Sequence, residues 1–191
     1  MKRVMASLTT AVGMLSLMAC GSKTEPAEPT GTSLDNLSEA QPAPTPAPAL
    51  VPGQAFANAA AASDAFEIAA SKLALEKAQS KAIKSFAEKM VAAHTESTAK
   101  LKSAAASAPT PVTPDATLTA AQQDRLAALQ AKSGAAFDTA YAAEQVAAHQ
   151  AALDTLRSYA AAPDEPALGQ FATTTAPIVA AHLNMAKALK P

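Results

Sequence analysis

Tryptophan is absent from this sequence, cysteine occurs once, and aromatic side chains make up only 4% of it. A lone cysteine excludes an internal disulfide. With so few large rings and with alanine at roughly a quarter of all positions, the chain reads as closely packed helices and not as a sheet. An excess of charge is missing too. The 15 Lys and Arg nearly balance the 16 Asp and Glu, and no basic patch stands out, so nucleic acid is not an expected partner. Gly-x-Ser-x-Gly, a phosphate loop and a Cys/His pair are all lacking, which leaves a hydrolase role without support.

What is present begins with an export signal. Lys2 and Arg3 precede a short apolar run, Val4 to Leu17, too short to span a bilayer. The run ends in Leu17-Met18-Ala19-Cys20. That pattern is similar to the lipobox of bacterial lipoproteins, in which the cysteine is acylated; Met18 is larger than the usual small residue. Residues 1–19 are therefore read as a lipoprotein signal peptide, and Cys20 as the lipidation site and membrane anchor. Gly21 in place of Asp favours the outer membrane, with the protein facing the periplasm.

Residues 20–52 are a different material. Seven prolines, from Pro26 to Pro52, punctuate Ala, Thr, Glu and Ser. Proline cannot continue a helix, so the segment reads as a disordered or polyproline-like tether. Fully extended at about 3.1 Å per residue, it would reach on the order of 90 Å.

Residues 53–190 read as one helical domain. Phe56, Phe66 and Leu73 share a face at helical spacing, and Phe86, Met90, Val91 and Leu101 continue a second stripe. Uninterrupted, the first stretch would be a helix of more than fifty residues, too long for a compact domain. A turn is therefore expected at Gln79-Ser80, with Ser80 as an N-cap. Pro109, Pro111 and Pro114 form a crossover, and Thr119 with Gln122 makes a capping box for a short helix, 119–132. Gly134 separates it from a longer helix, 135–161, which Pro163 stops. Asp164 is a candidate N-cap for the last helix, which carries Pro177 and ends near Lys190.

All three histidines stand in the same tetrapeptide: Val91-Ala-Ala-His94, Val146-Ala-Ala-His149 and Val179-Ala-Ala-His182. Each has a leucine seven residues on, at Leu101, Leu156 and Leu189. Positions −3, 0 and +7 share one face of a helix, so each histidine should point into the bundle. His94 lies about fourteen residues after the turn near residue 79, and Glu67 about twelve before it, so the two should be level to within one helical turn. By the same counting His149 lies in that layer, and His182 about one turn out of it.

The stretches Ser63-Asp64-Ala65-Phe66-Glu67-Ile68 and Lys72-Leu73-Ala74-Leu75 resemble the first helix of the bacterial domain-of-unknown-function family 4142. Phe86-Ala87 with Met90-Val91 and His94 resemble that family too. So do Ala136-Phe137-Asp138 with Tyr141, Gln145-Val146 and His149, and Pro177 with His182-Leu183. The resemblance covers residues 53–190. It implies an exported, ferritin-like four-helix bundle without an established activity, and a break near residue 79. Members often carry an acidic residue just before the first histidine; here that position is Ala93, which puts any role for that acid in doubt.

Two readings of the polar residues follow. In the first, Glu67, His94, His149 and His182 bind one divalent metal ion, with zinc, iron, manganese and copper all compatible with imidazole and carboxylate. In the second, they form a buried hydrogen-bonded cluster in a non-enzymatic envelope or stress-response module that binds an unidentified protein or surface polymer. A ferroxidase-type di-iron centre is disfavoured, because the residue three before each histidine is valine and no Glu-x-x-His exists. Met90, Met185, Tyr141 and Tyr159 are read as packing residues.

Overall fold

In the computed structural model, residues 50–190 are described. The signal peptide, Cys20 and the proline-rich segment up to residue 49 lie outside the described residues. Among the described residues five helices form: α1 (Pro52–Lys77), α2 (Lys81–Ala106), α3 (Ala120–Gln130), α4 (Gly134–Ala161) and α5 (Pro166–Lys187). The fold is all-α, with four long helices in a bundle and the short α3 inside the crossover between the second and third long ones. None of the described helices is long and apolar enough to cross a membrane.

The stretch from 53 to 106 breaks at Ala78–Ser80, where the sequence places a turn. Ser80 is the N-cap of α2, but its side chain makes no capping bond. Asp138, from the first turns of α4, does that work. Its carboxylate accepts from the backbone N–H of Gln79 (3.1 Å) and of Ser80 (2.8 Å).

Asp164 likewise differs from expectation. The N-cap of α5 is Glu165, and Pro166 opens the helix. Asp164 instead accepts from the backbone N–H of Gly53 (3.0 Å), in the first turn of α1, and from the Tyr159 hydroxyl (2.8 Å). The free N–H groups at a helix start can be satisfied by any acceptor in reach, including one distant in sequence. The capping box of α3 forms as read: Gln122 donates its backbone N–H to Thr119 Oγ1, and Thr119 donates its own to Gln122 Oε1. α5 ends at Lys187, three residues before the expected end.

These contacts set the helix directions. The end of α1 lies beside the start of α4 through Asp138, and the start of α1 lies beside the end of α4 through Asp164 and the stacked rings of Phe56 and Tyr159, 4.0 Å apart. α1 and α4 are thus antiparallel, while α2 and α4 run the same way and need the long 107–133 connection between them. α1 packs on α2 and α4, and α5 on α4 and α2. One crossover joining two antiparallel pairs is the ferritin-like order.

The apolar core falls into two clusters. One gathers Phe56, Leu101, Leu153, Leu156, Leu168 and Phe171; the other gathers Phe66, Ile83, Phe86, Met90, Phe137 and Tyr141. Between them lies a layer of buried polar side chains, at mid-length of α1, α2 and α4 and in the C-terminal half of α5.

Candidate metal centre

The polar layer takes Asp64 and Glu67 from α1, His94 from α2, Gln145 and His149 from α4, and His182 from α5. The heptad-like Val-His-Leu stripe turns each histidine inward, as its spacing predicts. His94 and His149 are buried, and His182 is half-buried. The three rings form a nearly equilateral triangle, with centroids 5.5, 5.6 and 6.0 Å apart. The His182 ring therefore meets the other two, although its backbone lies about one turn further from the α4–α5 loop than that of His149. The alanines flanking each histidine leave room for this approach.

Two tautomers follow from the hydrogen bonds. His94 Nδ1 lies 2.8 Å from Asp64 Oδ1, and His149 Nδ1 lies 2.8 Å from the backbone carbonyl of Gln145. Both acceptors require N–H at Nδ1, which leaves the Nε2 lone pair of each neutral ring for another partner. Neither Nε2 has a hydrogen-bond partner, and neither does His182 Nδ1; all three atoms are buried. One ring nitrogen from each histidine lies within 4.8 Å of those of the other two. A buried polar atom without a partner is costly, and each of the three clustered histidines carries one.

That arrangement can coordinate a metal ion. Ligand nitrogens at about 2.0–2.1 Å from a tetrahedral zinc are about 3.4 Å apart, so binding needs only a modest inward movement of the rings. Asp64 behind His94 and the Gln145 carbonyl behind His149 are the outer partners that orient metal-bound imidazoles. Sequence reasoning placed Asp64 and Gln145 in motifs without giving either a role. The available signal was spacing: Asp64 lies one residue short of a helical turn before Glu67, and Gln145 one full turn before His149.

Glu67 lies beside the triad and outside it. Its Oε2 accepts from the Gln145 side-chain amide at 2.7 Å, and its Oε1 is 3.9 Å from His149 Nδ1, too far for a hydrogen bond. No hydrogen bond joins Glu67 to a histidine among the described residues. The Asp64–His94 pair is the carboxylate–imidazole hydrogen bond of the layer.

Electrostatics separates the rings. Burial, with the charge on His94 as a further cause, pushes His149 and His182 down to about 4. Burial also disfavours the His94 cation, but the Asp64 hydrogen bond and the charges of Glu67 and Asp64 outweigh it and hold His94 above its ordinary value. Burial raises Glu67 to about 7. Without a cation, the layer thus keeps two neutral imidazoles, a readily protonated His94 and a Glu67 that gives up its proton only near neutrality.

Beneath this layer the Tyr141 hydroxyl shares a hydrogen bond of 2.9 Å with Ser71 Oγ, and burial raises the phenol. Tyr159 stacks on Phe56, and Met90 is fully buried. These three are packing residues, as read from the sequence; Met185 is 36% exposed.

No curated protein and no solved structure matches the chain. A family model does, over residues 37–189. The bundle, its break at residue 79 and the motifs around the three histidines accord with that match: the chain belongs to the family described as "Domain of unknown function (DUF4142)".

Proposed function

We propose that this domain binds one divalent metal ion through His94, His149 and His182, and that it does so at the end of a lipid-anchored tether in the cell envelope. The observation that carries the metal reading is the convergence of three buried, partnerless ring nitrogens, two of them with tautomers set by Asp64 and the Gln145 carbonyl. Glu67 serves as a counter-charge beside the triad. A cation at the triad lowers the cost of ionising it, and its carboxylate then offsets part of the metal's charge. The Glu-x-x-His pairs of di-iron oxidation are absent, so the reading is metal holding: storage, buffering or protection against redox damage outside the cytoplasm. The anchor is supported by the Leu17-Met18-Ala19-Cys20 pattern that closes the apolar run.

Metal analysis of the protein purified from its native envelope, followed by titration of the stripped protein, tests this. We expect one ion per chain, and loss of binding in each single His→Ala variant with helicity retained. Stripped protein that shows no thermal shift with zinc, copper, manganese or iron would sink the proposal.

A further inference from the structure

A cleft opens along the seam of α1 and α4, roofed by α3 and reaching inward to the edge of the Asp64–His94 pair. Its volume is about 180 Å³. An apolar cavity of about 150 Å³ is enough to hold a benzene molecule. The seam is open because it is lined by alanine: Ala59 and Ala60 on α1 face Ala148, Ala151 and Ala152 on α4. The rings of Phe56, Phe66 and Phe171, with Leu156 and Val179, supply the remaining apolar wall.

Besides uncharged serine, threonine and glutamine side chains, the lining holds three titratable groups, Asp64, His94 and Arg125. Arg125 reaches the roof but is committed: it is ion-paired with Glu144 and lies over the Phe66 ring at 4.8 Å. His94, the other group of the lining that can carry positive charge, is held by Asp64, so both positive groups of the wall already face a carboxylate. At the inner end stands Asp64, 5% exposed. Oδ1 accepts from His94, and Oδ2 accepts from the Thr98 hydroxyl at 3.2 Å. A carboxylate has about four lone-pair sites, so two remain for a donor.

We propose that the cleft between α1 and α4 binds an uncharged molecule the size of one aromatic ring that carries a hydroxyl, with the ring among Phe56, Phe66 and Phe171 and the hydroxyl donating to Asp64. The hydroxyl supplies the donor that the carboxylate accepts, and the ring fills a space of matching volume and apolar character. The site stands apart from the metal reading, because the ligand contacts the Asp64 side of His94 and needs no ion.

Phenol is the probe. Metal-stripped full-length chain, titrated with phenol and followed by amide NMR, should show saturable shifts around Ala60, Asp64 and Ala152. Benzoate, the same ring with an anionic substituent, should bind at least about tenfold more weakly. Ala151 is exposed at the mouth, so Ala151→Trp should close the cleft without touching the core. It should abolish the phenol shifts while leaving the metal titration of the three histidines unchanged. If Ala151→Trp fails to fold, Ala152→Leu fills the same space with a smaller side chain. Absence of saturable shifts, benzoate binding as well as phenol, or phenol binding undiminished in the folded variant would each overturn the proposal; the metal titration has its own separate outcome.

Discussion

Asp64 shows how one side chain can set the chemistry of another. Its 2.8 Å contact holds the proton on His94 Nδ1 and turns the Nε2 lone pair toward the other rings. Asp64→Asn keeps the shape but can present an N–H in place of the acceptor, and loses the charge. Outer partners of this kind are worth about 10–100-fold in metal affinity. We expect a loss in that range by isothermal titration with zinc, with unchanged circular dichroism; full affinity in the variant would deny Asp64 an orienting role. Protons should leave as metal enters. His94 is held above its ordinary value and Glu67 stands at about 7, so near neutral pH both carry protons that a cation at the triad displaces. Zinc affinity should therefore rise with pH through neutrality. Titrations in buffers of different ionisation enthalpy should report net proton release, and Glu67→Gln should reduce it. His149 carries a stability consequence of opposite kind. Its folded value of about 4 lies below the ordinary 6.5, so on acidification the unfolded chain takes up a proton that the folded ring refuses. That term destabilises the metal-free fold progressively from pH 6.5 toward 4, by on the order of 3 kcal/mol. Glu67 opposes it between 4.5 and 7, because the folded state there retains the proton longer. The clean measurement is a difference: His149→Gln should flatten the acid limb of the melting temperature, and an unchanged limb would show that His149 takes no part.

At the level of the helices, the starts of α1 and α2 are capped from elsewhere in the chain. Two N–H groups at the start of α2 end on Asp138, fifty-eight and fifty-nine residues away. Asp138→Ala should cost about 1–2 kcal/mol, within the range for loss of an N-cap. Ser80→Ala should cost much less, since the Ser80 side chain makes no capping bond. Thermal melts of the two variants side by side decide the matter, and equal losses would mean that Asp138 is not the cap. α5 meets the turn before it closely. A Cβ placed on Gly169 would lie 2.7 Å from Pro163 Cβ, which neither helix backbone nor a proline ring can easily yield. Gly169→Ala should therefore destabilise by about 1–3 kcal/mol, as overpacking does.

For the whole molecule, the polar layer interrupts the core at mid-bundle. Phe56, Leu156 and Phe171 lie on one side of it, and Phe86, Met90 and Phe137 on the other. A bound ion would tie the middles of α2 and α4 to the C-terminal half of α5, and metal should raise the melting temperature with affinity and free ion. On the proposed lipid anchor, Cys20→Ser should release the protein from membranes, because a lipid there would supply the membrane affinity. Sedimentation of the variant with membranes would remove the anchor from the reading.

The sequence by itself determined the helices, their breaks and the faces they bury. Helical periodicity, proline and the Thr119–Gln122 box are local properties, and a Val-Ala-Ala-His repeated on three helices states which way each ring points. Counting residues from the turns brought His94 and His149 level, because rise per residue is constant along a helix. The tertiary structure decided which groups meet. Counting from the α4–α5 loop leaves the His182 backbone about one turn deeper than that of His149, yet its ring closes the triangle, because a side chain spans the offset that the backbone keeps. Glu67 has the right depth for a ligand, yet its contact is Gln145, and the histidine's carboxylate partner is Asp64, three residues earlier. Asp138 and Asp164 cap helices far along the chain. Depth along a helix is a sum of local steps and can be read from the chain; the pairing of a carboxylate with one donor among several depends on rotation and distance between helices, which only packing fixes.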